Sequence, residues 1–306
     1  MSDMLFTTPP LQPVPDPWLT SQGVHLTMLR LDQVHPTVSG NKWYKLKYNL
    51  VQARQEGHDT LLTVGGAYSN HLYATAAAGQ VYGFRTIGLV RGERHTLLNP
   101  TLRFAQECGM QLQYIDRTAF RAISQEGAEL GSWGRAYWLP EGGTNALAVK
   151  GCAEIMPIDT KFDYVACCVG TGGTLAGILA SLPSETRALG FSALKGGHFL
   201  ANIVDKLTQT YHTPPHTRYQ LIDQYHFGGY AKINRALVDF INHFHRQTGI
   251  PLEPVYTGKM LYGLYDMIRQ QYFPQDSRVL VVHSGGLQGI EGFNQRYQKK
   301  NWQIAV

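Results

Sequence analysis

The chain has 306 residues, of which 43% are hydrophobic and 16% charged, with a formal net charge of +5 and four cysteines. That length allows roughly two domains of about 100–200 residues each, with a core large enough to need no disulfide or metal staple. The basic residues are scattered, with no run longer than Lys299-Lys300, which argues against a nucleic-acid footprint, and no stretch approaches the ~18 uninterrupted apolar residues of a membrane span. Residues 1–17 are polar and proline-rich rather than a basic start followed by an apolar run, so they do not read as a secretory signal. The expectation is a cytoplasmic protein whose cysteines are free thiols.

The first segment able to carry chemistry is Ser39-Gly40-Asn41-Lys42-Trp43-Tyr44-Lys45-Leu46. Trp43, Leu46, Leu50 and Ala53 follow helical spacing, so a helix begins near Lys42. A lysine at a helix start meets the positive end of the macrodipole, which favours the free amine that a Schiff base needs. The structural alternative is a solvated lysine, and Lys45 and Lys47 are read that way.

Residues 60–64 read as a strand, followed by Gly65-Gly66-Ala67-Tyr68-Ser69-Asn70-His71 and a helix over 70–80. At this turn Ser69 or Asn70 can cap the helix, or the same amides can bind a carboxylate. Strands follow at 86–90 and 111–115, with a helix over 99–108 between them.

The next strand, 164–169, places Cys167 and Cys168 on opposite faces. It runs into Val169-Gly170-Thr171-Gly172-Gly173-Thr174-Leu175-Ala176-Gly177, a glycine-rich loop opening a helix over 175–182. Such a loop offers unpaired N–H donors and a positive dipole end to a phosphate. It lacks the Gly-Lys-Ser/Thr ending of a Walker loop. It also lacks the third small residue of a dinucleotide fingerprint, since Leu175 stands there, so a compact phosphate fits better.

Strands at 187–191 and 279–282 complete the set, and 208–219 reads as loop. Alternation of strand and helix implies an α/β protein with two three-layer domains and mainly parallel sheets. The smaller domain, a three-strand block at 52–148, would be inserted in a larger one made of 1–51 and 149–306. No Gly-x-Ser-x-Gly elbow and no His-Glu-x-x-His motif occurs, and His243 and His245 are two apart in a helical segment, so neither serine-hydrolase nor metal chemistry is expected.

Together these segments resemble the 1-aminocyclopropane-1-carboxylate (ACC) deaminase / D-cysteine desulfhydrase family of fold-type II pyridoxal phosphate (PLP) enzymes. The resemblance runs from about residue 25 to about 294. It is carried by Gly40-Asn41-Lys42, Ser69-Asn70-His71, Gly170 to Thr174, Gly229-Tyr230, Pro254-Val255-Tyr256-Thr257-Gly258-Lys259 and His283-Ser284-Gly285-Gly286. It implies that Lys42 bonds PLP and shuttles protons. Asn70 would bond the ring hydroxyl, and Gly170, Thr171, Gly172, Gly173 and Thr174 would hold the phosphate. Ser69, Asn70 and His71 would bind the substrate carboxylate, Tyr230 and Tyr256 would flank the substrate, and Ser284 would face the pyridine nitrogen. Lys259 would lower the pKa of Tyr256. The partner implied is a small amino acid, and the assembly implied is a homodimer.

Family deaminases carry Glu where Thr257 stands and Leu where Ser284 stands, whereas desulfhydrases carry small hydroxyl residues at both and His at position 71. The expected reaction is therefore β-elimination from a small amino acid such as D-cysteine, giving pyruvate, ammonia and sulfide. ACC deamination to 2-oxobutanoate is the alternative, and a non-catalytic PLP-binding protein is the alternative of another class. Trp43-Tyr44 departs from the family pattern, and this bulk is expected to reshape the pocket.

Overall fold

The structure is a computed structural model and describes residues 6–94, 96–126, 133–157, 161–210 and 218–306. Two sheets organise it. The larger has the strand order β1(Leu11–Pro13), β2(Val24–Arg30), β10(Ser277–His283), β7(Tyr164–Val169), β8(Arg187–Ser192), β9(Tyr219–Ile222). Only the β1–β2 pair is antiparallel; every other pair in this sheet is parallel. The smaller sheet has the order β5(Gln111–Ile115), β4(Arg85–Arg91), β3(Thr60–Gly66), β6(Ala136–Leu139), all parallel. All four of its strands lie between β2 and β7 in the chain, so the expected three-strand block has a fourth strand, β6.

Parallel strands buried on both faces read as continuous apolar runs. β7 is buried along its whole length, and Cys167 and Cys168 do point to opposite sides, each into a different core. One of these cores packs the sheet against α9(Arg235–Thr248) and α10(Thr257–Arg269). The other packs it against α6(Ala146–Cys152), α7(Gly173–Ala180) and α8(Phe199–Thr210). The smaller sheet has its own clusters, formed with α3(Asn70–Tyr82), α4(Pro100–Glu107) and α5(Arg117–Glu126).

Helix α2(Asn41–Gln55) sits between the two systems. Tyr44 enters the larger sheet's core, while Leu46, Leu50 and Ala53, all near zero exposure, enter the smaller one's. The loop expected over 208–219 is narrower than that, because α8 runs to Thr210 and β9 starts at Tyr219; residues 211–217 lie outside the described ones. Among the described residues no helix is long and apolar enough to cross a membrane. The ends of β3, β7 and β10, with the starts of α2, α3, α7 and α10, converge on one cleft.

Candidate active site

The cleft has a volume of about 650 Å³, within the usual range for small-ligand sites. Lys42 reaches it because α2 starts hard against the end of β10. Gly40 has φ 68°, and a Cβ there would lie 2.1 Å from the carbonyl oxygen of Ser284; one on Gly285 would lie 2.9 Å from the Gly40 Cα. Two facing glycines thus allow a backbone approach that no side chain permits, and the Asn41 amide donates to Ser284 O at 3.1 Å. Lys42, the second residue of α2, donates from Nζ to Asn41 Oδ1 at 2.9 Å, and Asn41 Nδ2 donates to Thr174 Oγ1 at 2.9 Å. Burial, and next the charge of Lys45, pull the Lys42 amine down to about 7. The direction is the one expected, with desolvation and the Lys45 charge as its causes in place of the helix start.

The glycine loop is the turn from β7 into α7. Gly172 is left-handed (φ 81°), and no side chain caps the helix. Ala176 N already bonds Gly172 O, so the amides of Gly173, Thr174 and Leu175 are those that an α-helix start leaves without an internal acceptor. Gly170, Thr171, Gly172 and Thr174 line the cleft. Gly173 instead faces Thr144, 2.9 Å from where its Cβ would be.

Lys45 was read as a solvated neighbour, and the structure corrects this. It is 3% exposed, and its Nζ donates to Gly142 O (2.9 Å), Thr144 Oγ1 (2.9 Å) and Thr171 Oγ1 (3.3 Å). It therefore ties the glycine loop to the turn after β6, and burial lowers it to about 8. Three acceptors far away in sequence make a buried ammonium tolerable there, and the local pattern around Lys42 cannot reveal them. Lys47, also read as solvated, has a side chain only 17% exposed and pairs with Glu154.

At the start of α3, Ser69 is the N-cap: its Oγ accepts from the amides of His71 (3.2 Å) and Leu72 (3.3 Å). The capping and carboxylate-binding readings compete for the same donors, and here capping holds them with two long bonds. Asn70 lines the cleft with its Oδ1 fixed by Gln288 Nε2 at 2.6 Å. Gln288 was not singled out from the sequence. His71 also lines the cleft but is 1% exposed, and neither ring nitrogen has a hydrogen-bond partner. Burial, then Lys42 and Lys45, hold it well below the ordinary imidazole value, so it is neutral.

Tyr256 stands at the N-cap of α10, with its ring centroid 6.1 Å from that of Tyr230 in an edge-on contact. Glu253, 2% exposed, caps this helix instead. Its carboxylate accepts from the amides of Val255 (2.7 Å), Tyr256 (2.8 Å) and Thr257 (2.5 Å) and from Thr257 Oγ1 (3.2 Å). Thr257 is wholly buried and does not line the cleft, so it meets a ligand there only through its neighbours. Ser284 does line it.

Lys259 does not act on Tyr256 as expected. Its Nζ donates to the carbonyls of His226 (2.9 Å) and Gly229 (2.8 Å), the loop that presents Tyr230, and burial raises the Tyr256 phenol well above its ordinary value. The expectation that Trp43-Tyr44 reshapes the pocket is also corrected. Neither lines the cleft: Trp43 stacks on Phe6 with centroids 3.5 Å apart, and Tyr44 packs its carbonyl against Gly151.

The structure thus brings Lys42, Ser69, Asn70, His71, Gly170, Thr171, Gly172, Thr174, Tyr230, Tyr256 and Ser284 to one cavity. It adds Asn41, Lys45, Cys168, Arg91, Arg117 and Arg121, which the sequence reading left without a role. Among the described residues no group of three or more His, Cys, Asp or Glu is placed to hold a metal ion.

Comparison with known proteins identifies the family. Residues 12–285 match the family profile of the pyridoxal-phosphate dependent enzymes. A Pyrococcus furiosus protein, named only provisionally as a 1-aminocyclopropane-1-carboxylate deaminase, is 31% identical over 287 residues, covering 87% of this chain and 86% of that protein. The mitochondrial bifunctional D-cysteine desulfhydrase/1-aminocyclopropane-1-carboxylate deaminase of Arabidopsis thaliana is 30% identical over 299 residues, covering 88% and 74%. A crystal structure described as an ACC deaminase homologue superposes with a TM-score of 0.83 at 28% identity, over 97% of this chain and 94% of that one. The chain belongs to the pyridoxal-phosphate dependent enzymes.

Proposed function

From that membership we propose that the protein is a deaminating lyase that eliminates the β-substituent of a small amino acid such as D-cysteine, giving pyruvate, ammonia and the leaving group. The observation that carries this reading is the Lys42 amine, held near half-deprotonation at neutral pH in the same cleft as an uncapped helix start.

The residues present fit the cofactor. An amine of this kind suits an aldehyde, and the open amides at the start of α7, with the hydroxyls of Thr171 and Thr174, suit a phosphate. Lys45 braces that loop from behind and adds positive charge to it. Asn70, oriented by Gln288, and Ser284 would meet the polar atoms of the ring. When bound, PLP supplies an electron sink for charge developing at the substrate Cα.

Lys42 then holds and moves the proton at Cα, and Asn41 fixes its Nζ relative to Thr174. Ser69 and the start of α3 receive the substrate carboxylate, and neutral His71 beneath them adds no competing charge. Tyr230 and Tyr256 wall the cleft as protonated phenols bonded to each other, so the pair can offer one hydrogen bond to a leaving group. Elimination is favoured over opening of the ACC ring for two reasons. Ser284 offers a hydroxyl rather than a carboxylate, and the nearby Glu253 carboxylate is already committed to three backbone amides.

The test is a keto-acid screen of purified enzyme against D-cysteine, L-cysteine, β-chloro-D-alanine, D-serine and ACC, with Lys42→Ala as control. Pyruvate from the β-substituted substrates, and a colourless, inactive Lys42→Ala, are expected. Rapid 2-oxobutanoate from ACC with no turnover of D-cysteine would reverse the order of the two chemistries.

A further inference from the structure

Among the described residues, five Lys or Arg side chains line the cleft against one carboxylate, Glu141. Lys42 and Lys45 belong to the machinery above, which leaves Arg91, Arg117 and Arg121. Arg117 and Arg121 are four residues apart on α5, with Ser124 three further on, so one face of that helix turns to the cleft. Arg91 ends β4, and its guanidinium lies 5.0 Å from the ring centroid of Phe120, a residue on the same helix that is 6% exposed. Among the described residues none of the three is paired with a carboxylate, whereas Arg30, Arg85 and Arg235 all are. All three line the cleft, and the Arg91 charge is felt at Tyr230, where it favours the ionised phenol. Three unpaired guanidinium groups in a concave site raise the local concentration of anions and suit planar recognition of carboxylate, sulfate or phosphate oxygens.

The two anions that the proposed reaction already requires have other seats, the cofactor phosphate at α7 and the substrate carboxylate at α3. We therefore infer that the substrate carries a second negative group on its β-substituent, received by Arg91, Arg117 and Arg121. This rests on the elimination reading and narrows its substrate class to amino acids with an anionic β-leaving group. The step balances without any oxidant. Lys42 takes the Cα proton, the electron pair of that bond becomes the Cα–Cβ double bond, and the Cβ–heteroatom bond leaves with its own pair as the released anion. The enamine takes up a proton, and water then replaces nitrogen, giving pyruvate and ammonia.

The experiment compares kcat/KM of the holoenzyme for O-phosphoserine and for β-chloroalanine, each as both enantiomers, in the native chain and in Arg117→Gln/Arg121→Gln. In parallel, calorimetric titration compares binding of aspartate, which has the charge but no leaving group, with binding of alanine. One enantiomer of O-phosphoserine is expected to be preferred, and the double substitution to lower its kcat/KM at least about 30-fold while β-chloroalanine changes less than about 3-fold. Aspartate is expected to bind at least about 10-fold more tightly than alanine, an advantage lost in the double variant. Equal losses on both substrates, or no preference for the charged one, overturn the inference and leave elimination standing. If neither substrate is eliminated, the elimination reading fails. The titration then decides the anion seat alone, and equal binding of aspartate and alanine sinks it.

Discussion

The two helix starts that face each other across the cleft are built from the same strand–turn–helix unit and are finished in opposite ways. At α7 the turn is Gly170 to Gly173, no side chain caps the helix, and the first amides stay open. At α3 Ser69 folds back onto the amides of His71 and Leu72. An uncapped start is costly unless a ligand completes it, so α7 suits an anion that stays. The capped start of α3 stands complete without a ligand and can admit an anion that comes and goes by exchanging two long hydrogen bonds. A resident cofactor and a transient substrate call for that division.

Three substitutions test the contrast. The largest effect is expected from Gly172→Ala. The residue has φ 81°, and its Cβ would lie 3.2 Å from Val204, so the turn must move and carry its amides with it. Loss of two or more charge-assisted hydrogen bonds predicts cofactor affinity about 100-fold weaker, measured by titrating apoprotein with PLP and following visible absorbance. Unchanged affinity would mean that the phosphate sits elsewhere.

Next is Lys45→Met, which removes the brace on Thr171 and one of the two main causes lowering Lys42. Affinity for PLP should fall about 10-fold. Uptake needs the free Lys42 amine, so with a value of about 7 the native rate should rise about ten-fold between pH 6 and pH 8, and the variant's rise should move to higher pH. The same depression has a stability consequence of fixed sign. Between the folded value near 7 and the unfolded one the unfolded chain binds the extra proton, so Lys42 makes the apoprotein more stable as pH rises through that window. A rise that stays in place in Lys45→Met would show that its charge does not reach Lys42.

The smallest effect is expected from Ser69→Ala. Loss of the cap should cost about 1 kcal/mol, a Tm decrease of about 1–2 °C, with KM raised several-fold and PLP affinity unchanged. A fall in cofactor affinity as large as that of Gly172→Ala would erase the distinction between the two starts.

Much of this contrast was legible in the sequence, because it is written in local patterns. β5 and β7 fall on the expected residues, whereas Gly65-Gly66, expected as loop, are the last two residues of β3, and Gly172-Gly173 form the N-cap and first residue of α7. β6 was missed because it has only four residues, and β1 because it has three. β2 was missed because His25 and Thr27 interrupt its apolar residues where it lies near the sheet edge. In the site, Lys42 and Ser69, marked by local pattern, and Tyr256, marked by the resemblance, all line the cleft. Residues whose role depends on distant partners were not legible. The acceptors of Lys45 lie 97 to 126 positions away, and Gln288 meets Asn70 across 218. Lys259 was assigned to its sequence neighbour Tyr256 but bonds a loop about 30 residues upstream. The arginine face of α5 was open to discovery from the spacing of 117, 121 and 124, once that helix is known to look into the cleft.

The anchoring of residues 226 and 229 by Lys259 makes α10 the common mount of both aromatic hydroxyls, one at its own first turn and the other on the segment it tethers. The two phenols therefore move as a unit, since a shift of α10 carries both, whereas the arginines on α5 stand on a separate element whose side chains can be exchanged one at a time.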